Sequence, residues 1–347
     1  MLRSTNLTVV LTTVLFASCQ PRVATSFWAI GSPADSTVAG YTVIQAEGKT
    51  RHCYPVKAWY DGPWADTYHQ LHHHGVAVES EQMAYRIYFD KKQTIDVYCK
   101  RTPRLELATS YWYPNDSLLA AHYGDDILRV SGTVGVGTVK YWNDKLFHIE
   151  DVGERQQWIV RQSKNKATIA VCDIDWTVPD GKQDSTETRK IVNLRAEYTM
   201  RAGHRDMRCD VKVSDIIEGL CTGVQTIPAK GQNQRSEIVN LILPNGVLLT
   251  SWGTDFPVND TVKYAKETVG LGVFIPKQFA GELVQDRSNN LCLLKLQSSK
   301  ERFGEYGEPG TCHFYLTVCG ATKEDHPVAT NATEWLNYLR RWAATLH

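Results

Sequence analysis

Ala84-Tyr85-Arg86-Ile87-Tyr88-Phe89-Asp90, and after Lys91-Lys92-Gln93 the stretch Thr94-Ile95-Asp96-Val97-Tyr98-Cys99, set the character of this chain. Side chains alternate across an extended strand, so Ala84, Arg86 and Tyr88 share one face and Tyr85, Ile87 and Phe89 share the other. Both stretches are rich in aromatic and β-branched residues, the types that suit a pleated surface. The same period of two recurs at Thr133–Trp142, Ala167–Trp176, Ile191–Met200, Gly246–Trp252, Leu291–Leu296 and Cys312–Cys319. Pro244-Asn245-Gly246 is a tight-turn signal. Helical spacing shows at the end of the chain, in Trp335, Leu336, Leu339 and Trp342, with Asn331 and Glu334 spaced as a capping box. The pattern predicts an all-β chain: a large antiparallel β-sandwich with a C-terminal helix.

Composition narrows the function classes. The chain has 347 residues, with 38 Lys+Arg against 38 Asp+Glu. A neutral balance without a basic stripe argues against nucleic acid as a partner. Arg3 followed by the apolar run Leu7 to Ala17 reads as a signal peptide over residues 1–18, too short to span a bilayer comfortably. Its end, Leu15-Phe16-Ala17-Ser18-Cys19, resembles a lipobox with Phe16 where leucine is usual. Lipidation of Cys19 is therefore expected, then a tether over residues 19–36 and one sandwich domain over residues 37–347. The alternative is plain secretion, with Cys19 incidental. The expected place is the periplasm or the cell surface, with the body held to a membrane by the lipid.

Nine cysteines less Cys19 leave eight. An exported chain could pair them, but most sit in apolar strand-like runs, where cysteine serves as a small hydrophobe.

Three groups of residues bear chemistry. Tyr68-His69-Gln70-Leu71-His72-His73-His74-Gly75 brings four imidazoles together, and buried imidazole nitrogens need partners. On a helix His69 and His73 would share a face as a metal pair, but no fourth ligand is evident. Proton transfer suits the block better, and His73 and His74, beside Gly75, are the candidates. The second group is His122 in His122-Tyr123-Gly124-Asp125-Asp126, ahead of Gly132, Gly135 and Gly137. These glycines bare one face of a strand for a close-approaching ligand. The third is cationic: Arg86 and Lys100, and the group Arg201, His204, Arg205 and Arg208 around Gly203. A cation on a sheet face is ordinarily solvated; lining a cleft, it becomes a carboxylate clamp. Trp64, Trp112, Trp142 and Trp252 lie in or beside turns, where a carbohydrate cleft would use stacking platforms, although most tryptophans only pack. Nucleophile elbows, papain-like cysteine boxes and phosphate loops are absent from the sequence.

Several stretches resemble an exported family catalogued as domain of unknown function 4861. They are His72-His73-His74-Gly75 to Arg86-Ile87-Tyr88-Phe89, Ile95 to Lys100, Gly124-Asp125-Asp126-Ile127-Leu128, Gly203-His204, Ser251-Trp252-Gly253 and the Trp335–Trp342 tail. The resemblance spans roughly Tyr41 to Leu346. It implies a galactose-mutarotase-like supersandwich and a place in polysaccharide breakdown. Some resembling proteins are implicated in dehydrating uronic-acid ends of oligosaccharides from sulfated algal glycans such as ulvan. The expected activity is then a lyase performing β-elimination on a terminal uronate, with no cofactor and no metal. His73, His74 and His122 would supply base and acid, and Arg86, Lys100, Trp142, His204 and Arg205 would bind the sugar. A glycoside hydrolase, a sugar epimerase and a non-catalytic glycan-binding lipoprotein are the alternatives.

Overall fold

The computed structural model describes residues 21–46, 49–62, 67–179, 189–227, 236–300 and 309–346. The signal peptide, Cys19 and Trp64 lie outside them. Alternation becomes strand close to where it is read: Met83–Tyr88, Ile95–Cys99, Lys166–Thr177, Ile191–Arg201, Gly246–Asp255 and Gly310–Gly320. The largest sheet runs in the order Glu237–Leu243, Gly246–Asp255, Glu267–Pro276, Gly310–Gly320, Met207–Val213, Ile191–Arg201, Lys166–Thr177, Glu154–Gln162, Ala58–Asp61. Its neighbours pair antiparallel. Pro244 and Asn245 form the two-residue link of a hairpin in which Leu243 pairs with Gly246.

Two five-stranded sheets cover one face of this large sheet. The first runs Val23–Ser26, Gly75–Ser80, Met83–Tyr88, Ile95–Cys99, Asp125–Asp126; the second runs Lys145–Phe147, Lys140–Asn143, Leu220–Gln225, Asn289–Leu294, Ala280–Gln285. One apolar cluster joins all three sheets, with Val78, Tyr85, Ile87 and Val97 of the first small sheet packed in with Ala196, Tyr198, Met207 and Cys209 of the large one. Val224 and Cys292 extend the cluster into the second small sheet. Sealing alternate residues of both layers away from water is what holds such a sandwich together, at roughly 25 cal/mol per Å² of apolar surface. The helix Ala332–Ala344 lies on the opposite face of the large sheet, where Trp335 and Leu339 pack against Leu248, Trp252 and Phe274. Asn331 caps it, its side chain accepting from the Glu334 N–H at 3.0 Å. Trp252 is thereby a packing residue, with no sugar platform left to offer.

Two expectations are corrected here. The stretch read as tether holds two strands, Val23–Ser26 and Trp28–Gly31, the first paired with Gly75–Ser80 and the second with Lys49–Pro55. Four-residue strands are too short to display a period, and their stability comes from partners remote in sequence. Thr133–Trp142 is not one strand either, since only Lys140–Asn143 pairs as such. Gly135 and Gly137 take φ of +59° and +66°, and each is pressed against a neighbour, Ile95 O and Leu316 respectively. The alternating glycines serve left-handed turns under the sandwich, so no bare strand face opens to a ligand.

The eight described cysteines are buried free thiols. Burial pushes their acidity down, raising Cys53 to about 11 and Cys172 to about 12. Among the described residues no helix is long and apolar enough to cross a membrane.

Candidate functional site

The histidine block forms two short 3-10 turns, Thr67–Gln70 and His72–His74, separated by Leu71, which bridges to Ala29. No helix face unites His69 and His73. Instead His73 and His74 both take left-handed backbone, with φ of 58° and 62°. Such residues cost about 1–3 kcal/mol each and persist where surroundings over-determine them. Gly75 ends the turn at φ 156°, with any Cβ falling 2.0 Å from Ile87 O. The chain then enters Gly75–Ser80, and three imidazoles are presented in three directions.

Two of these imidazoles are structural. His72 donates from Nε2 to Ser110 O at 2.7 Å, accepts on Nδ1 from Ser26 Oγ at 3.2 Å, and stacks on Trp28 at 5.1 Å. His73, also fully buried, donates from Nε2 to Leu107 O at 2.8 Å, and its Nδ1 is buried without a hydrogen-bond partner. Both rings pin the covering segment that contains Leu107 and Ser110 onto the first small sheet. A ring sealed from solvent cannot reach a substrate, so the expectation of His73 as base or acid is corrected.

His74 is different. It is only partly buried, its Nδ1 lies 3.2 Å from Tyr68 O, and it stacks on Trp112 with centroids 4.3 Å apart. Donation to a carbonyl places the proton on Nδ1 and the lone pair on Nε2. No described residue hydrogen-bonds that Nε2. Burial and then the nearby Arg86 charge push His74 down to about 3, so the ring is neutral near pH 7. Tyr88 stands edge-on to it at 5.5 Å and donates to Asp96 Oδ2 at 2.8 Å. Burial and the Asp96 charge hold the Tyr88 phenol well above its usual range, keeping it protonated. His69 completes the group, 5.8 Å from His74 and 6.0 Å from Trp112. Arg51 also lies on these aromatics, its guanidinium carbon 5.2 Å from the Tyr111 centroid and 5.8 Å from that of Trp112.

Beneath this patch lies a buried charged layer. Register places Ala77, Arg86 and Asp96 in one row across the first small sheet. Arg86 is 1% exposed, pairs with Asp96 and, at 2.9 Å, with Asp126, and donates to Trp112 O at 2.5 Å. Lys100 pairs with Glu79 and spends its remaining hydrogens on Ser80 O at 2.5 Å and Arg104 O at 2.6 Å. Arg205 is held by both oxygens of Glu324, at 2.9 and 3.1 Å. None of these three cations is available to a substrate carboxylate, which corrects their expected role. Each is buried, and a buried charge needs a fixed partner.

The other expected residues stand apart from the patch. His122 is exposed on the loop after the short helix Asp116–Ala120, with Nδ1 4.0 Å from Asp325. Trp142 packs with Val134, Cys221 and Leu291 in the second small sheet. His204 belongs to the turn after Ile191–Arg201, where it hydrogen-bonds Asp206 at 3.1 Å and lines a cavity on the outer face of the large sheet. The rings that do surround His74 are those of Trp112, Tyr68, Tyr88 and His69. In the sequence Trp112 stands out as a possible stacking platform beside a turn, Tyr68 opens the histidine block, and Tyr88 shares the face of Arg86.

The buried imidazoles have a consequence for acid stability. His72 is pushed down to about 4, chiefly by burial, and His74 to about 3. Above about pH 6.5 both are neutral folded or unfolded. Below it the unfolded chain takes up protons that the folded chain refuses, so stability is lost as pH falls from about 6.5 towards 4. Urea midpoints measured across that range should fall steadily, and should fall less in His72→Gln relative to its own value at pH 7. A flat profile from pH 7 to 4.5 would contradict this burial.

No curated protein matches the chain. A family model does, over residues 40–347, from just before the strand Thr42–Ala46 through the C-terminal helix. The chain belongs to the family described as a domain of unknown function, DUF4861.

Proposed function

We propose that the protein is a carbohydrate-active lyase that eliminates across C4 and C5 of a terminal uronate, with His74 as base and Tyr88 as acid. The observation that carries this reading is the neutral His74 ring, its Nδ1 tied to Tyr68 O and its Nε2 lone pair unengaged, beside a protonated Tyr88 phenol. Loss of the C5 proton makes charge on the adjacent carboxylate, so a cation must neutralise it. Arg51 takes that place in this reading, instead of Arg86 or Lys100. Trp112 supplies the flat apolar surface on which a sugar ring rests. An imidazole held down to about 3 is a weak base in the free protein. The bound carboxylate raises it, because a negative charge nearby favours the imidazolium.

In the balanced step, Nε2 takes the C5 proton, the electron pair forms the C4–C5 double bond, and the C4–O bond breaks. The Tyr88 hydroxyl turns its proton from Asp96 to the departing oxygen, which leaves as water from a terminal uronate. The buried Arg86 steadies the resulting phenolate. Export on the N-terminal signal and tethering through Cys19 form part of this proposal, since polysaccharide fragments are met outside the cytoplasm.

The test is incubation with uronate-terminated oligosaccharides, following the ultraviolet absorbance of the conjugated double bond and the mass of the product. Absorbance with loss of one water is the expected result. New reducing ends without absorbance would make the protein a hydrolase, and binding without product would leave a glycan-binding protein.

A further inference from the structure

The outer face of the large sheet carries a polar cavity of about 650 Å³, on the opposite side of the core from His74. Its floor follows from strand register. Lys166 pairs directly with Arg201, and in the next row Arg161 meets Thr168, Thr199, Arg208 and Tyr315 in turn. These residues point outward because their neighbours Ala167, Ile169, Tyr198, Met200, Met207 and Cys209 fill the core.

The charges on this floor are unevenly matched. Its carboxylates are engaged: Asp210 by Arg208 at 2.6 Å, Asp206 by His204 at 3.1 Å, and Glu197 by Arg195. Arg161, Lys166 and Arg201 are in no ion pair with any described residue. Among the described residues the Arg161 side chain hydrogen-bonds only the Thr168 hydroxyl, at 3.3 Å, and that hydroxyl lies 2.9 Å from the Thr199 hydroxyl. Two cations directly opposite on neighbouring strands, with Cβ atoms about 5 Å apart, repel one another. The Lys166 amine is correspondingly held below its usual range, by desolvation and then by Arg161 and Arg201. A sheet face that tolerates this repulsion, and offers hydroxyls beside it, is suited to a multivalent oxyanion.

We propose that Arg161, Lys166 and Arg201 form a second site that holds a sulfate or carboxylate group of an anionic saccharide, at a distance from the His74 patch. The anion site itself stands on this charge arrangement; that its bearer is a saccharide rests on the uronate reading. Occupied together with the His74 patch, it would keep a charged glycan on the protein between turnovers, without taking part in the chemistry.

The experiment is calorimetric titration of the full-length protein with dextran sulfate oligomers, oligogalacturonate, and uncharged dextran of matched length. Dextran sulfate, oligogalacturonate or both should bind, more weakly as salt rises, and uncharged dextran should not. Comparison of the two charged probes tells sulfate from carboxylate. Arg201→Glu should weaken binding at least tenfold, and Lys166→Thr several-fold. Both positions lie at the solvent edge of the sheet, so the variants should fold. Lys166→Thr should also melt no lower than the parent without ligand, because it removes a repulsion. His74→Gln should leave this binding intact. Equal binding by Arg201→Glu and the parent, no binding of either charged probe, or loss of binding in His74→Gln would each overturn the site. Absence of turnover with this binding intact would sink the lyase reading and leave the anion site standing.

Discussion

His74→Gln lowers turnover on a uronate-terminated oligosaccharide by about 10²–10⁴-fold, the usual contribution of a positioned proton-transfer group. Glutamine can keep a donor towards Tyr68 O and part of the contact with Trp112, so the circular dichroism spectrum and melting temperature should stay near the parent's. His73→Gln should behave in the opposite way. That ring is enclosed and holds Leu107 O, so its loss lowers the melting temperature first and turnover only through unfolding. Initial rates and thermal melts on both variants decide the matter. Full activity in His74→Gln would remove the base from the proposed mechanism, whatever the fate of the anion site on the other face.

Arg86→Leu destabilises the fold by about 3–5 kcal/mol, because removing one partner strands the others as buried charge. Asp96 and Asp126 would then face each other in the layer under Trp112 with no cation between them. Burial and the Asp96 charge already hold Asp126 well above the ordinary carboxylate range. Without Arg86, whose charge draws it down, the Asp126 carboxyl rises further above its unfolded value. A group whose folded pKa is raised binds its proton more tightly in the native state, so it gains stability as pH falls. The gap between Arg86→Leu and the parent should therefore narrow from pH 7 towards pH 5. Loss of the Arg86 charge also relieves part of the depression of His72 and His74, so the variant loses less to acid than the parent does and the gap narrows in the same direction. Urea unfolding at the two pH values measures it. A loss below about 1 kcal/mol at pH 7 would mean that the pair is worth no more than a surface ion pair.

Much of the architecture is legible in the sequence alone. Val, Ile, Tyr and Thr at alternate positions specify a strand with one buried face wherever the run is long, as in Ile191–Arg201 and Gly310–Gly320. Asn331 and Glu334 mark a helix start by local hydrogen bonding alone. Where the signal failed, a remote partner supplied the stabilisation. Val23–Ser26 is a strand because Gly75–Ser80 offers it an edge, and Gly135 and Gly137 turn because Ile95 O and Leu316 crowd them.

The site divides along the same line. Local pattern was enough for the strands and the capped helix, and for the expectation that the histidine block carries polar nitrogens with a purpose. Chemistry at a distance was not contained in it. Whether Arg86 meets water, a substrate or two buried aspartates depends on Asp126, which pairs through the edge of the sheet, and on the Trp112 carbonyl laid over it. Likewise His72, His73 and His74 are alike in sequence, and only the packing of Ser110, Leu107 and Tyr68 around them separates two structural rings from one with a lone pair to spare. Periodicity reports which face of a strand is wet or dry; the identity of the group that meets each side chain is set by contacts between segments far apart in the chain.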